Sequence, residues 1–448
     1  MADTAQKENI MGAQKMSKLV LFTGIPLMIS LFINSLYNFV DSMFVSQVSE
    51  KALAALSLAA PVQLLISALG LGNAVGLNAV ISKALGRKDI GEVRKAADAA
   101  IFIALCSWVV ITVLCLLFVK RYFVWQSGGD EVIEGYGIQY LAVCMLFSLG
   151  QMGQWVFDRF VIASGRSGLF LFTLSAASIT NLILDPIFIF GLFGVPRLET
   201  LGAAIATVIG QTVGMFAGIV INRKWNRDIP FGFTLRPNRS SIVDILKVGF
   251  PSTLVQILTS FVGILMNSIL ITFSSTAVAV YGICIRINGV STVGIHGITN
   301  GLIPIVAYNY GAANRKRVSY AVWWSFLYGT LFYLPFFAAL EIAPTWVLRI
   351  FEASDYMLEI GIPALRILAF AWIVAIPALI ISAGLQGLSM GMSSMILTMA
   401  RQTALPLLFA GLLSRLGNVD LLWMGFIFAE LLGIPLAVLF WKKGYGRI

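Results

Sequence analysis

Charged residues are scarce in this sequence. Only 12% of the 448 residues are charged, 58% are hydrophobic, and the mean hydropathy is +0.89, whereas a soluble domain carries about 25% charged residues. Hydrophilic insertions longer than roughly a few tens of residues are also lacking, so a large soluble domain is excluded. Apolar stretches of about 20 residues, long enough to cross a membrane, recur along the whole chain. The composition therefore predicts an all-α polytopic membrane protein.

Residues that enzymes and ATP-driven pumps require are also rare. There is one histidine, His296, and neither a DDxxD metal cluster nor a GxxxxGK[ST] phosphate-binding loop. An integral membrane transferase would therefore lack general bases and metal ligands, and the chain itself offers no ATP site. Four cysteines fall in apolar stretches without a CxxC pair, which indicates packing residues: Cys106, Cys115, Cys144 and Cys284. We expect no cofactor and no enzymatic activity.

The hydropathy pattern predicts twelve membrane spans. They begin near residues 18, 52, 96, 136, 168, 200, 243, 276, 318, 357, 393 and 419. The stretches 52–82 and 276–308 are longer than a bilayer requires and must be tilted or bent. The first span is too long, and too polar at its far end, for a cleaved signal peptide.

The net charge of +10 is distributed unevenly between the two predicted sides of the membrane. With twelve spans and an inner N-terminus, twenty-three Lys and Arg residues lie inside and seven outside, while Arg286 lies within a span. This bias follows the positive-inside rule and predicts a multi-pass plasma-membrane protein with both termini cytoplasmic. Because the basic charge orients the chain, it requires no nucleic-acid partner.

A hydrophilic linker divides the chain near its midpoint. It separates a predicted N-lobe, residues 18–222, from a predicted C-lobe, residues 243–441. The remaining segments are predicted to be cytoplasmic and comprise residues 1–17, 223–242 and 442–448. Each lobe then holds six spans.

The two halves repeat one another in sequence. At an offset of 225 residues Pro26 aligns with Pro251 and Gly86 with Gly311, and at an offset of 220 Pro186 aligns with Pro406. Landmarks that keep their order and spacing in both halves indicate an internal repeat. Since six spans return the chain to the same side, the repeats are parallel, as in transporters that rock one half against the other around a central site.

The stretch from Gly24 to Ser46 contains two residues that are costly inside a membrane helix. Pro26 removes a backbone hydrogen bond and predicts a kink. Asp41 costs about 2.5 to 3.5 kcal/mol at mid-membrane and is therefore a candidate for an ion or substrate path. It shares one helix face with three polar residues at helical spacing: Asn34, Tyr37 and Asn38. The alternative is a static kink with one hydrogen-bonded acid.

A second acid, Asp185, lies in the fifth predicted span. Asn181 precedes it by one helical turn and shares its face. The repeat offsets place uncharged or basic residues opposite this set in the second half: Met266 for Asp41, Arg401 for Asn181 and Leu405 for Asp185. The halves thus share prolines and glycines, but only the first half carries these acids.

Taken in order, these features resemble the MATE family of multidrug and toxic compound extrusion transporters. The resemblance rests on Pro26, on FVDSMFVS around Asp41, on NLILDPIFIFG around Asp185, and on PIVAYNYGAANRKRV after span eight. It implies two six-helix lobes and a secondary active antiporter that exports organic, cationic and amphipathic compounds in exchange for inward H⁺ or Na⁺. The sequence is similar to the DinF-like branch of the family. It departs from the NorM-like branch, because Gln256 follows the proline of span seven and IPALIISAGLQGL in span ten contains no acid.

The resemblance assigns a cation- or proton-binding site to the first half. Its members are Asp41, Asn181, Asp185, Thr207 and the carbonyl of Ala203, of which Asp41, Asn181 and Asp185 would bind sodium if sodium is the coupling ion. These hard oxygen donors suit Na⁺, and two neighbouring acids can instead share a proton. We predict a substrate cavity that includes Asn34, Tyr37, Asn38, Gln256 and His296. We also predict hinges at Pro26 and Pro251, and a monomer.

Three other function classes fit the architecture less well. A flippase of lipid-linked precursors would need a wide, basic cavity, whereas the spans here contain acids. A transferase would need catalytic groups that this sequence lacks, and a channel does not require two lobes with one acidic site.

Other polar residues have a structural and a functional interpretation. In the second half Arg286, Arg401 and Glu430 predict an ion pair, and His296 is a pH sensor or a packing residue. Asp158 beside Arg159 predicts a gate lock or an interfacial anchor.

Overall fold

The structure, a computed structural model, describes residues 9–351 and 354–446, apart from the side chains of Asn38, Phe39, Ser42 and Ser260. These ranges contain helices and connecting segments, and no β-strand. The α-helices are α1 (Ile10–Ala13), α2 (Met16–Ser46), α3 (Glu50–Gly86), α4 (Ile90–Gln126), α5 (Glu131–Leu146), α6 (Leu149–Ala163), α7 (Gly168–Phe190), α8 (Glu199–Trp225), α9 (Arg239–Leu270), α10 (Ser275–Ser291), α11 (Val293–Gly311), α12 (Arg315–Ile342), α13 (Pro344–Arg349), α14 (Asp355–Gly387), α15 (Gly391–Met399), α16 (Leu405–Leu413) and α17 (Val419–Tyr445). Short 3₁₀ turns occupy Leu192–Gly194 and Ser414–Leu416, and a π-helical turn joins α15 to α16 at Ala400–Ala404.

The helices are long and apolar enough to cross a membrane many times. Over the described part of the chain, ten helical segments pass this test alone, and two bent pairs, α5 with α6 and α10 with α11, raise the number of spans to as many as 12. The prediction of an all-α polytopic membrane protein with twelve spans is therefore confirmed.

The bend expected in the stretch 276–308 lies at Thr292, where α10 and α11 meet at 50°. The Thr292 hydroxyl donates a hydrogen bond to the carbonyl of Asn288 at 2.7 Å, a side-chain bond that often bends helices. The other long stretch, 52–82, lies within the continuous 37-residue helix α3.

Local structure repeats at the offset of 225 residues. Ser49 and Ser274 each cap a helix, and each hydroxyl accepts a hydrogen bond from the backbone N–H three residues later, at 3.1 and 3.0 Å. Lys88 and Ala313 each adopt a left-handed backbone conformation, with φ of 59° and 53°. Such conformations are uncommon outside glycine, so their recurrence at one offset is specific. The internal repeat thus extends to turns and caps.

Contacts divide the chain into two compact units. The first, here called the C-unit, comprises Met1–Met28 and Leu254–Ile448; the second, here called the N-unit, comprises Ile29–Thr253. One border lies inside α2 just after Pro26, and the other lies inside α9 just after Pro251. Each proline therefore marks the point where its helix passes from one unit to the other. The lobe boundaries 18–222 and 243–441 remain a prediction.

Candidate functional site

A cavity of about 390 Å³ lies inside the N-unit. Its walls come from α2 (Ser30, Leu31, Asn34, Tyr37, Asp41), α3 (Gln63, Ser67, Leu71), α5 (Tyr140), α6 (Gln151, Gln154, Trp155, Asp158, Arg159), α7 (Phe170, Leu174, Ala177, Ser178, Asn181) and α8 (Thr207, Gln211). On each helix these residues mostly follow one another at intervals of three or four, so each helix presents one face to the cavity. Amides, hydroxyls and carboxylates predominate among its polar residues, a lining that suits ions or small polar groups.

Three of the predicted cation-site residues, Asp41, Asn181 and Thr207, line this cavity, and Asp185 is bonded to Asn181 beside it. The Asn181 amide donates to Asp185 Oδ1 at 3.2 Å and to Thr207 Oγ1 at 3.3 Å. Asn181 and Asp185 are 2% and 0% exposed. The carboxyl groups of Asp41 and Asp185 lie within side-chain hydrogen-bonding reach of one another. Two neighbouring carboxylates favour a proton or a cation beside them.

Three buried oxygens at this point lack a donor. Within the described part of the protein, no hydrogen-bond donor reaches Asp41 Oδ1, Asp185 Oδ2 or Asn181 Oδ1. Buried acceptors are almost always satisfied, and leaving one unsatisfied costs about 1–3 kcal/mol. All three are hard oxygen acceptors, the kind of ligand that a small cation or a proton can satisfy. The donor set thus fits a monovalent cation.

Glycine brings α8 close enough to α7 to complete the site. A Cβ at Gly210 would lie 2.7 Å from the Ala177 carbonyl oxygen and 3.0 Å from Asn181 Cβ. A Cβ at Gly202 would lie 2.6 Å from the backbone of Phe188. Small residues at four-residue spacing allow such close helix contact in membranes. Without these two glycines, Thr207 could not approach Asn181 to hydrogen-bonding distance.

The structure separates the predicted substrate residues into different places. Asn34 and Tyr37 line the N-unit cavity, and the side chain of Asn38 lies outside the described residues. Gln256 is exposed and lines neither this cavity nor the next one described. His296 lines a cavity of about 300 Å³ within the C-unit, with Tyr281, Cys284, Ile285, Asn288, Gly289, Thr292, Leu368, Trp372 and Phe426. Ala203, one turn before Thr207 on α8, is fully buried.

The predicted ion pair of the C-unit joins Arg401 to Glu430. Arg401 Nη1 donates to Glu430 Oε2 at 2.9 Å, and the arginine is 2% exposed. Arg401 lies in the π-helical turn, and its aliphatic part passes over Gly433, where a Cβ would lie 2.5 Å from Arg401 Cγ. Arg286, in contrast, is exposed. This pair is internal to the C-unit core.

Asp158 belongs to the N-unit cavity, which the sequence reasoning did not predict. It is 2% exposed, and Thr173 Oγ1 donates to its Oδ1 at 2.5 Å. A signal was present in the sequence, because Gln151, Gln154 and Asp158 fall at i, i+3 and i+7 in an otherwise apolar segment. The sequence analysis gave Asp158, beside Arg159 near a helix end, as a gate lock or an interfacial anchor.

Comparison with known proteins agrees with the repeat and the fold. The sequence model of the MatE family matches residues 26–187 and, again, residues 251–412, which are separated by the offset of 225. The multidrug export protein MepA of Staphylococcus haemolyticus (strain JCSC1435) is 24% identical over 410 residues, which cover 91% of this chain and 89% of the relative. Crystal structures of MATE in the straight and in the bent conformation are both 26% identical, with a TM-score of 0.87 and 98% of each chain covered. The two matches to the family model span most of the sequence, and the chain belongs to the MatE family of transporters.

Proposed function

We propose that this protein is an ion-coupled antiporter that exports organic, cationic and amphipathic compounds. The relatives named as multidrug export proteins support this substrate class. The acidic N-unit cavity supports it as well, because carboxylates favour cations over the phosphate groups of lipid-linked precursors. The protein then works as a monomer in the plasma membrane, with both termini on the cytoplasmic side and the basic inner loops as its topological signal.

One observation supports the coupling site above all others: Asn181 donates to Asp185 beside the cavity that Asp41 lines, and each of the three residues has a buried oxygen without a hydrogen-bond partner among the described residues. We assign the coupling ion to this place, with Thr207 and the carbonyl of Ala203 completing the shell. A proton would be shared between the two carboxyl groups, and a sodium ion would take four or more of the oxygens. A site in the N-unit is the arrangement expected for the DinF-like branch.

The hinges proposed for the transport cycle are Pro26 and Pro251. Each lies inside a helix at the point where that helix passes from one compact unit to the other. Proline removes one backbone hydrogen bond from a helix and lowers the cost of bending there. A relative that has been crystallised in a straight and a bent conformation supports a cycle of this kind. Loading of Asp41 would then shift the population between two shapes of α2.

The deciding experiment is transport in proteoliposomes with the ion gradients imposed one at a time. A pH gradient and a sodium gradient are applied separately to proteoliposomes that are loaded with N-methylacridinium, a planar organic cation. We expect one gradient to drive export by the wild type, and Asp41→Asn to fold, to bind the probe and to lose gradient-driven export. Ion affinity should fall by roughly 100-fold or more when a ligand of the site is removed. Export by Asp41→Asn at the wild-type rate would contradict the assignment.

A further inference from the structure

The C-unit contains a cavity of about 300 Å³ to which the proposed function assigns no ligand. It lies along the bend between α10 and α11, and residues of α14 and α17 form its other walls. Its volume is at the lower end of the range for small-molecule sites, roughly 300–1,000 Å³. A compound of a few fused rings is therefore the size of ligand to consider.

The internal repeat relates this cavity to the acidic cavity of the N-unit. Three residues of α3 line the N-unit cavity: Gln63, Ser67 and Leu71. Their counterparts at the offset of 225 residues line the C-unit cavity: Asn288, Thr292 and His296. The same three positions of the repeat therefore face a cavity in both units, which a chance packing gap does not explain.

The two cavities differ in charge. The wall of the N-unit cavity includes Asp41, Asp158 and Arg159. Among the described residues that line the C-unit cavity, none carries a charge when histidine is neutral. An organic cation placed there would have no carboxylate to balance its charge, so burying it would be costly. The C-unit cavity therefore favours an uncharged ligand.

Aromatic rings form one wall of the C-unit cavity, and the core of the unit holds them in place. Tyr281 stacks on Trp423 with ring centroids 6.1 Å apart, and its ring also contacts Phe426 at 6.2 Å. Tyr281 and Trp423 belong to the buried core of the C-unit, and Phe426 and Trp372 pack against that core. The rings of Tyr281, Trp372 and Phe426 line the cavity. Such a wall suits a planar aromatic ligand, because aromatic rings pack favourably in offset-stacked or edge-to-face arrangements.

His296 adds a polar group that its neighbours do not use. Its backbone N–H donates to the Thr292 carbonyl, and its carbonyl accepts from Thr299 and Asn300. Its imidazole is exposed and lines the cavity, and none of the described residues forms a hydrogen bond with that ring. Asn288 and Thr292, in contrast, are bonded to each other. A polar side chain without a partner is costly in a membrane helix, and it marks a functional site.

We propose that the C-unit cavity binds an uncharged planar aromatic compound, which packs against Trp372 and Phe426 and forms a hydrogen bond with the His296 imidazole. A neutral imidazole has one N–H donor and one acceptor nitrogen, so a ring nitrogen or a carbonyl of the ligand can accept from it. This site goes beyond the proposed function and does not depend on ion coupling. The protein would then have two cavities at equivalent places of its repeat, an acidic one for cations and an uncharged one for neutral compounds.

The test compares two probes of nearly the same shape. Acridine is uncharged at mildly alkaline pH, and its ring nitrogen accepts a hydrogen bond. In N-methylacridinium that nitrogen is methylated, and the molecule is a permanent cation. Binding of each probe to purified full-length protein is measured by equilibrium dialysis, with protein-free micelles of the same detergent as the blank.

The first pair of variants tests the hydrogen bond from His296. His296→Leu should reduce acridine affinity by roughly 2- to 10-fold, the range for one lost hydrogen bond. His296→Gln retains an N–H donor and should bind acridine more tightly than His296→Leu does. Neither variant should change the affinity for N-methylacridinium, which cannot accept this bond.

Two glycines of α10 provide a steric test. A Cβ at Gly289, which lines the cavity, would meet nothing within 4 Å. The same holds for Gly282, two turns earlier, which is not among the described residues that line the cavity. Gly289→Leu should therefore fold and fill part of the cavity, and acridine affinity should fall by roughly tenfold or more. Gly282→Leu adds the same side chain outside the cavity and should bind acridine as the wild type does.

The proposal requires both losses of acridine affinity. Unchanged binding in His296→Leu or in Gly289→Leu would overturn it, and so would the same loss in Gly282→Leu, an equal loss of N-methylacridinium, or a wild type that does not bind acridine. If His296→Leu fails to fold, the two glycine variants decide alone. Failure of the wild type to respond to either ion gradient would overturn the proposed function instead, because acridine binding is measured without a gradient.

Discussion

The proposed coupling site depends on a glycine that contributes no ligand atom, and Gly210→Ala should weaken it. The added Cβ would lie 2.7 Å from the Ala177 carbonyl oxygen and 3.0 Å from Asn181 Cβ. Ordinary contacts begin near 3.4 Å for such atoms, so α7 and α8 must separate by roughly half an ångström or more. The bond from Asn181 to Thr207 Oγ1 is already 3.3 Å long and would be lost.

The expected loss follows from the cost of overpacking. Inserting one methyl group into a tight contact costs about 1–3 kcal/mol. If this strain is relieved by opening the site, coupling-ion affinity falls by roughly 5- to 150-fold. The assay measures transport in proteoliposomes as a function of the driving ion, together with ion binding to the purified protein.

The control is Gly135→Ala on α5, where a Cβ would meet nothing within 4 Å. It adds the same methyl group to a helix of the same unit and should leave ion affinity unchanged. If Gly210→Ala folds and binds the ion with wild-type affinity, then α7 and α8 need not be in close contact at this point. The reasoning that links the helix packing to the site would be refuted.

Three further predictions concern the hinges, the C-unit and an ion pair outside the spans. Pro26→Ala and Pro251→Ala should each slow transport by roughly two- to tenfold, the effect of one restored backbone hydrogen bond, without changing ion binding; unchanged transport in both would remove the hinge assignment. Arg401→Leu should lower the free energy of unfolding by about 3–5 kcal/mol, because Glu430 is left buried and unpaired. In thermal melts the double variant Arg401→Leu, Glu430→Leu should recover most of the lost stability. A double variant as unstable as the single one would contradict this account. Outside the spans, the ion pair with Lys51 and the backbone N–H groups of α5 lower the pKa of Asp130. The ion pair should therefore stabilise the protein at pH values above the ordinary pKa of Asp, and this stabilisation should be lost as the pH falls. In a profile of stability against pH, Asp130→Asn should lose less stability in acid than the wild type does.

The sequence contained enough information to place Asn181 beside Asp185 but not to describe the whole cavity. Asn181 and Asp185 are one turn apart in an apolar helix, so their common face follows from helical geometry alone. Asp158 was predicted only as a gate lock or an interfacial anchor; it shares a helix face with Gln151 and Gln154, but its contact with Thr173 depends on packing between α6 and α7 that the sequence does not specify. Gln256 and His296 were grouped with Asn34 by polarity alone, yet the structure places His296 in a different cavity.

Some backbone irregularities could be predicted from the sequence and others could not. Proline positions predicted weak points in α2 and α9, because the missing N–H is a property of the residue itself. The π-helical turn at Ala400–Ala404 was not predictable, since it accompanies a buried arginine whose partner, Glu430, lies on another helix. Local chemistry could be read from the sequence, whereas distant partners could not.

Duplication accounts for the scaffold, and divergence accounts for the chemistry. The caps at Ser49 and Ser274 and the two prolines recur at one offset, so both halves retain the same framework and the same candidate bending points. The buried charges do not recur. In the N-unit the carboxylates of Asp41 and Asp185 have unsatisfied oxygens, whereas in the C-unit Glu430 is paired with Arg401. An acid that carries its own cation has no need of an external one. Under the proposed mechanism, ion exchange is therefore confined to the N-unit, and the C-unit contributes its half of the hinge without binding a coupling ion at Glu430.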